Sequence, residues 1–188
     1  MAINLNNEIK EYISKIQKEI GQTRDYCKMK VKFVEKENLH ISLKFLGDLN
    51  CKEIEKTSAI LQNVSTEYQH FRAELSKNIG VFPNISRPRV IWIGIEKGND
   101  IISNIYQSIE KELKSEPFYE KENQFKPHIT LARIKYIEHQ HQLSECIKNI
   151  KINPLTEPVK TIELMESQLL KEGPIYTIIK SFPLTAQT

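Results

Sequence analysis

Ile9, Tyr12, Ile13, Ile16 and Ile20 recur at intervals of three and four residues, with Lys and Glu filling the positions between them. This spacing predicts an amphipathic helix over residues 8–20. Asn50 followed by Glu53 has the spacing of a capping box, and Ile54, Leu61, Val64 and Tyr68 then line one side of a second helix. Ile102, Ile105, Ile109 and Leu113 mark a third, starting near Asn99. Leu143, Cys146, Ile147 and Ile150 give a fourth its single apolar face, over about residues 138–150. Between the helices lie runs with strand character: VKFV (31–34), LHISLKFL (39–46), FRAELSKNIGVF (71–82), RVIWIGI (89–95), FKPHITLARI (125–134), VKTIELMESQLL (159–170) and IYTIIKSF (175–182). They are rich in Ile, Val and Phe and bounded by Gly, Pro and Asn, so strands and helices alternate along the chain. Pro83, Pro88, Pro154, Pro158 and Pro174 fall in loops or at edges, because proline inside a central strand loses a ladder hydrogen bond.

Two of the runs share a grammar. HISL occupies residues 40–43 and HITL residues 128–131, each shortly after a copy of EKEN (35–38 and 120–123) and each before a predicted helix. The pattern predicts two related strand-helix halves facing each other across a pseudo-two-fold axis. In a strand, residues two apart share a face. His40, Ser42 and Lys44 should therefore line one face while Leu39, Ile41, Leu43 and Phe45 enter the core; His128 and Thr130 repeat the arrangement against Ile129 and Leu131. If the two strands lie side by side or face to face, two imidazoles and two hydroxyls converge on one cleft.

That set suits a phosphoester. Imidazole titrates near neutral pH, so one ring can take a proton from attacking water while the other protonates the departing oxygen. The hydroxyls of Ser42 and Thr130 can donate to phosphoryl oxygens. No metal or other cofactor is expected. His139 and His141 form H-x-H without a third ligand nearby, and His70 reads as a surface residue.

Composition limits the setting more than the chemistry. A chain of 188 residues suits a single domain spanning 1–188. No stretch of 18 apolar residues is present, and the start MAINLNNEIK does not resemble a secretory signal, so a cytoplasmic protein is expected. Cys27, Cys51 and Cys146 are isolated and read as reduced thiols. The net charge of +3 permits an RNA partner through local placement of Lys and Arg but does not demand one.

ENLHISLKFLGDL and FKPHITLARIK together resemble the two signatures of the 2H phosphoesterase superfamily, nearest the RNA 2',3'-cyclic phosphodiesterases, also called 2'-5' RNA ligases. GVFPNISRPRVIWIGI resembles the segment that follows the family's first helical region, and ESQLLKEGPIYTII its closing hairpin, so nearly the whole chain is covered. The resemblance implies a bilobal α+β fold, two antiparallel sheets flanking a central cleft with helices outside. It also implies metal-independent hydrolysis of an RNA terminal 2',3'-cyclic phosphate to a 2'-phosphate. By the same analogy His40 is the proton donor to the 3'-oxygen and His128 the acceptor that activates water. The sequence by itself leaves the two imidazoles interchangeable.

Reversible 2'-5' ligation to a 5'-hydroxyl end is the chemical rival, and a non-catalytic RNA-end binder the rival of another class. The expected partner is RNA with a cyclic phosphate end, such as a tRNA fragment or an oligonucleotide, met by a monomer. Two departures from the family pattern stand out. Ser42 replaces the usual threonine, and only Met1, Ala2, Ile3 and Asn4 stand where a fuller first strand is usual, so either the true start lies upstream or nucleotide grip is reduced.

Six neighbours complete the set of candidates. Arg133 matches the family's basic residue and could clamp a phosphate, but alternation puts it on the wrong face, so a bulge between Leu131 and Arg133 must re-aim it; otherwise it is a surface salt-bridge former. Lys44 either holds RNA phosphate or is a solvated lysine. Tyr176 either covers the cleft, stacking on a base, or is a core tyrosine. Arg87 and Arg89, flanking Pro88 before a strand, either contact an RNA backbone or are surface charge, and Trp92, inside a continuously apolar run, is expected as core.

Overall fold

The computed structural model describes residues 1–121, 124–170 and 173–186. All four apolar stripes form helices: α1 (Asn7–Gln22), α2 (Cys51–Thr66), α3 (Asn99–Leu113) and α4 (Gln140–Asn149). Their starts have physical causes. The Asn6 side chain accepts from the Ile9 amide, and Asn50 and Glu53 form the reciprocal capping box. Along α1 the buried residues are the expected Ile9, Ile13, Ile16 and Ile20 together with Gln17. The Gln17 amide donates to the carbonyls of Val34 and Leu131, which satisfies a polar group inside an apolar face. Residues 122 and 123, the end of the second EKEN, lie outside the described residues, as do 171 and 172 within the closing hairpin.

Among the described residues nine strands form: β1 (Ala2–Asn4), β2 (Met29–Phe33), β3 (His40–Ser42), β4 (Phe71–Phe82), β5 (Val90–Ile95), β6 (His128–Ile137), β7 (Thr156–Val159), β8 (Thr161–Leu169) and β9 (Pro174–Pro183). The run expected over 39–46 supplies only three strand residues. The run over 159–170 divides at Lys160, because β7 pairs with β4 while β8 pairs with β1.

The sheet order is β7-β4-β5-β6-β3-β1-β8-β9, with β2 attached to β6, and every named pair is antiparallel. The order reads alike from both ends toward the middle. Along the chain, β1-α1-β3-α2-β4 is echoed by β5-α3-β6-α4-β8, and the last strand of each repeat joins the other repeat's half of the sheet, β4 beside β5 and β8 beside β1. The α+β fold therefore has the expected pseudo-two-fold duplication, with the two half-sheets continuous through β6 and β3 at the centre.

The core collects the apolar face of that central region, including Ile41, Ile91, Ile93 and Ile129, against the helix stripes; all four are 0% exposed. The opposite face of β3 and β6 is left for chemistry. Among the described residues no helix is long and apolar enough to cross a membrane.

Candidate active site

Ile41 pairs with Ile129 across β3 and β6. One step further on each side of an antiparallel register sets His40 opposite Thr130 and Ser42 opposite His128, with Cβ atoms ~4.5–5.5 Å apart across the strands. An antiparallel pair has a local two-fold axis normal to the sheet, and here it passes between the two isoleucines. It exchanges His40 with His128 and Ser42 with Thr130. All four line one cleft of about 370 Å³.

The two rings are held alike. Nδ1 of His40 lies 2.8 Å from the Asn38 carbonyl, and Nδ1 of His128 lies 2.7 Å from the Lys126 carbonyl. A carbonyl only accepts, so Nδ1 carries the hydrogen and the lone pair of each neutral ring sits on Nε2. Nε2 of His40 is 3.0 Å from Oγ of Ser42, from which it accepts. Burial holds His40 down to about 4, aided by the positive charges of the Met1 amino group, Lys10 and His128 and opposed by its bond to the Asn38 carbonyl. Burial also lowers His128, with Arg133 and Lys126 adding to the effect. Without a bound anion both rings are therefore neutral near pH 7.

Beyond the shared four, strict alternation fails in both halves, and at the same step. In β6, pairing with β5 shifts between Ala132 and Thr130, which leaves Leu131 as an extra residue. Leu131 and Ala132 are both fully buried, and Arg133 returns to the cleft. The re-aiming bulge expected for Arg133 is present.

After β3 the amides of Leu43 and Lys44 both point to the Met1 carbonyl, at 2.9 and 3.3 Å. Leu43 and Lys44 are consequently both buried, at 1% exposure, and Phe45 turns outward at 61% to line the cleft. Two expectations are corrected here. Phe45 is a cleft residue, not a core one, and the Lys44 ammonium is neither solvated nor directed at substrate. It pairs with Glu110 at 2.8 Å, donates to the Glu120 carbonyl and sits 5.1 Å above the Tyr119 ring. The signal for Phe45 was present in the sequence, since it occupies the place after its histidine that Arg133 occupies after the other.

Tyr176 lines the cleft from β9, with its ring edge-on to His40 at 4.9 Å. The side chain of Asn38 donates to the Pro174 carbonyl at 2.7 Å, which ties the hairpin end to the segment that orients His40. On the other side Phe82 meets the His128 ring at 5.0 Å and stacks on Trp92 at 4.7 Å. Trp92 is buried as expected, 9% exposed, and it forms the back wall of His128 at 6.0 Å. This wall depends on the glycine that opens the GVFPNISRPRVIWIGI segment: a Cβ on Gly80 would stand 2.2 Å from the Trp92 ring. Lys32 and Phe82 also line the cleft, and neither belongs to the histidine grammar that marks the rest of the site.

The remaining candidates lie apart from the cleft lining. Arg87 and Arg89 are in the loop before β5, Arg87 exposed. His139 and His141 flank the start of α4, and His70 precedes β4. The Cys27 thiol is pushed up to about 11 by burial and by the neighbouring Cys146, which suits an inert structural thiol.

Comparison with known proteins gives the chain its family. The family model of the AKAP7 2'5' RNA ligase-like domain matches residues 1–184. The chain is 39% identical over 184 residues to the RNA 2',3'-cyclic phosphodiesterase of Methanocaldococcus jannaschii, covering 97% of this chain and 98% of that protein. It is 32% identical over 181 residues to the RNA 2',3'-cyclic phosphodiesterase of Aquifex aeolicus, covering 95% and 93%. The crystal structure of TT0787 of Thermus thermophilus matches with a TM-score of 0.79 at 26% identity, over 100% of this chain and 97% of that one. E. coli LigT complexed with 3'-AMP shares the fold, with a TM-score of 0.71 at 22% identity over 98% and 95%. The chain belongs to the 2H phosphoesterases, in the family of the RNA 2',3'-cyclic phosphodiesterases and 2'5' RNA ligase-like domains.

Proposed function

We propose that residues 1–188 work as one bilobal unit that hydrolyses the 2',3'-cyclic phosphate end of RNA to a 2'-phosphate, with the two histidines as acid and base and without a metal. The observation that carries the reading is the pair of imidazoles, each fixed through Nδ1 to a carbonyl and each related to the other by the register of β3 and β6.

The cyclic phosphodiester brings one negative charge between rings that burial keeps neutral. That charge favours an imidazolium, so substrate binding itself raises the histidine pKa values. Nε2 of His128 takes a proton from water as its oxygen attacks phosphorus. The bond from phosphorus to the 3'-oxygen breaks, and Nε2–H of His40 supplies the proton to that leaving oxygen. The 2'-oxygen keeps the phosphate, and the two rings have exchanged protonation states, which solvent resets.

Ser42 and Thr130 donate to the non-bridging oxygens, and Arg133 offsets their charge. Tyr176 bounds the nucleoside side of the cleft. A 5'-hydroxyl in place of water gives a 2'-5' linkage with the same groups: His128 takes the proton of the attacking hydroxyl, the bond from phosphorus to the 3'-oxygen breaks, and His40 protonates that oxygen. Two proton carriers have no use in a protein that only binds RNA ends.

Product analysis tests the assignment. RNA ending in 2',3'-cyclic phosphate should yield a 2'-phosphate in EDTA, and accumulation of a 3'-phosphate would reverse the leaving oxygen. Adding a 5'-hydroxyl acceptor measures the ligation branch.

A further inference from the structure

The cleft has two exits of opposite character. Toward β8 and β9 it continues into a groove shared by His40, Ser42, Phe45 and Tyr176, whose further lining includes Leu49, Leu169 and Ile179 with Asp48 and Glu166. That exit is apolar and carries two carboxylates, and the one lysine in its described lining, Lys44, is already paired with Glu110. Toward β2 and the outer part of β6 the described residues include Lys30, Lys32, Arg133 and Tyr136, with Glu35 alone bringing a carboxylate into the cleft lining there.

The register fixes which side chains share this second surface. Lys32 pairs with Arg133, and Lys30 pairs with Tyr136. Residues opposite each other in an antiparallel pair share a face; the ladder shifts between Lys30 and Val31, where β6 carries the extra residue Lys135, but β2 itself alternates, with Met29, Val31 and Phe33 against the core and Lys30 and Lys32 on the other face. Lys32 and Arg133 line the cleft. Lys30 and Tyr136 therefore continue the same face outward, one step of ~6.7 Å along the strands. Tyr136 is 58% exposed, an unusual state for a large ring on a strand. At the far end Lys28 is paired with Glu138, so the strip ends there.

We propose that this strip, Lys32 and Arg133 followed by Lys30 and Tyr136, carries the body of a single-stranded RNA whose cyclic end sits between the histidines. The inference rests on the activity proposed above and extends it from the reacting end to the nucleotides that precede it. Lys30 meets the phosphate upstream of the reacting one, and Tyr136 offers a face on which the adjoining base stacks; the spacing of the two pairs is that of successive nucleotides in an extended strand. The acidic groove on the other side repels a polyanion, so the chain leaves in one direction.

Two measurements test this separately from the chemistry. In the first, a labelled single-stranded hexanucleotide with an inert 3'-phosphate is titrated against the protein at two salt concentrations. Lys30→Glu should weaken binding about ten-fold and reduce the salt slope by about 1. Tyr136→Ala should weaken it by up to about ten-fold with the slope unchanged. Glu166→Lys, which reverses charge at the other exit, should change affinity by less than about two-fold.

In the second measurement, kcat/KM is compared for a nucleoside 2',3'-cyclic phosphate and for an oligonucleotide with the same end. The wild type should favour the oligonucleotide through KM, and Lys30→Glu should remove that preference. Equal binding by wild type and Lys30→Glu, or a gain of affinity in Glu166→Lys larger than the loss in Lys30→Glu, overturns the inference. Failure to hydrolyse either substrate overturns the proposed activity instead and leaves the binding result to decide the strip.

Discussion

The β3 and β6 halves of the site begin alike and diverge after four residues. In each, the histidine and the hydroxyl two places on face the cleft, the next two residues both enter the core, and the fifth residue from the histidine faces the cleft again. The backbone is thus duplicated further than the sequence pattern, including the break in alternation. The side chains at the two break positions differ completely. Ala132 fills its core place with a methyl group, whereas Lys44 fills the equivalent one with an ammonium held by Glu110. Arg133 brings a cation into the cleft and Phe45 brings a ring. A two-fold-symmetric frame therefore holds an asymmetric pocket, with charge beside His128 and apolar surface beside His40.

Experiments that unbalance the halves should rank as follows. His40→Ala and His128→Ala should each lower turnover of a cyclic-phosphate end by about 100- to 10,000-fold with unchanged circular dichroism, and comparable loss in both is the signature of shared acid-base work. Undiminished turnover in either variant would refute that division of labour. Arg133→Ala should cost about ten- to a hundred-fold in kcat/KM, while Phe45→Ala at the equivalent place should cost only a few-fold. Similar losses for both would mean that the pocket is less asymmetric than its lining.

Lys44→Met should act on stability instead. Removing the cation leaves the Glu110 carboxylate without its partner in a nearly enclosed position, at a cost on the order of 3 kcal/mol in denaturant unfolding, with kcat at low temperature changed little. A large drop in kcat with no loss of stability would return Lys44 to the cleft.

The last effect, small near neutral pH and growing only in acid, concerns pH and folding. His40 has a pKa of about 4 in the folded chain against the ordinary 6.5. The unfolded chain therefore binds a proton first as pH falls, so this contribution to stability is intact above about 6.5 and is lost progressively toward pH 4. His40→Gln should flatten that part of the stability curve, and an unaltered slope would show that the ring is not held neutral by the fold.

How much of this was legible beforehand follows from the range of each interaction. The helix stripes, the Asn50 capping box and the alternating HIS and HIT segments depend on neighbours three or four residues away, and the structure has them where the spacing puts them. The 159–170 run was not divisible from its own residues, because what separates β7 from β8 is the identity of their partners, β4 and β1. Arg133 required a bulge that its family position suggested. Phe45 and Lys44 required the same break in alternation, which their apolar and basic character hides and which only the place of Phe45, equivalent to that of Arg133, signals.

By itself the amino-acid order settled the alternation of strands and helices, the repeat, and the four side chains that share the cleft, since i,i+2 and i,i+4 relations are properties of a local backbone. Only the folded chain decided that β3 and β6 are adjacent with Ile41 opposite Ile129, that the third strand of each repeat crosses to the other half, and which way residues 44, 45 and 133 turn. Those outcomes depend on hydrogen bonds between segments tens of residues apart, such as the Met1 carbonyl shared by Leu43 and Lys44, and no periodicity within a segment encodes them.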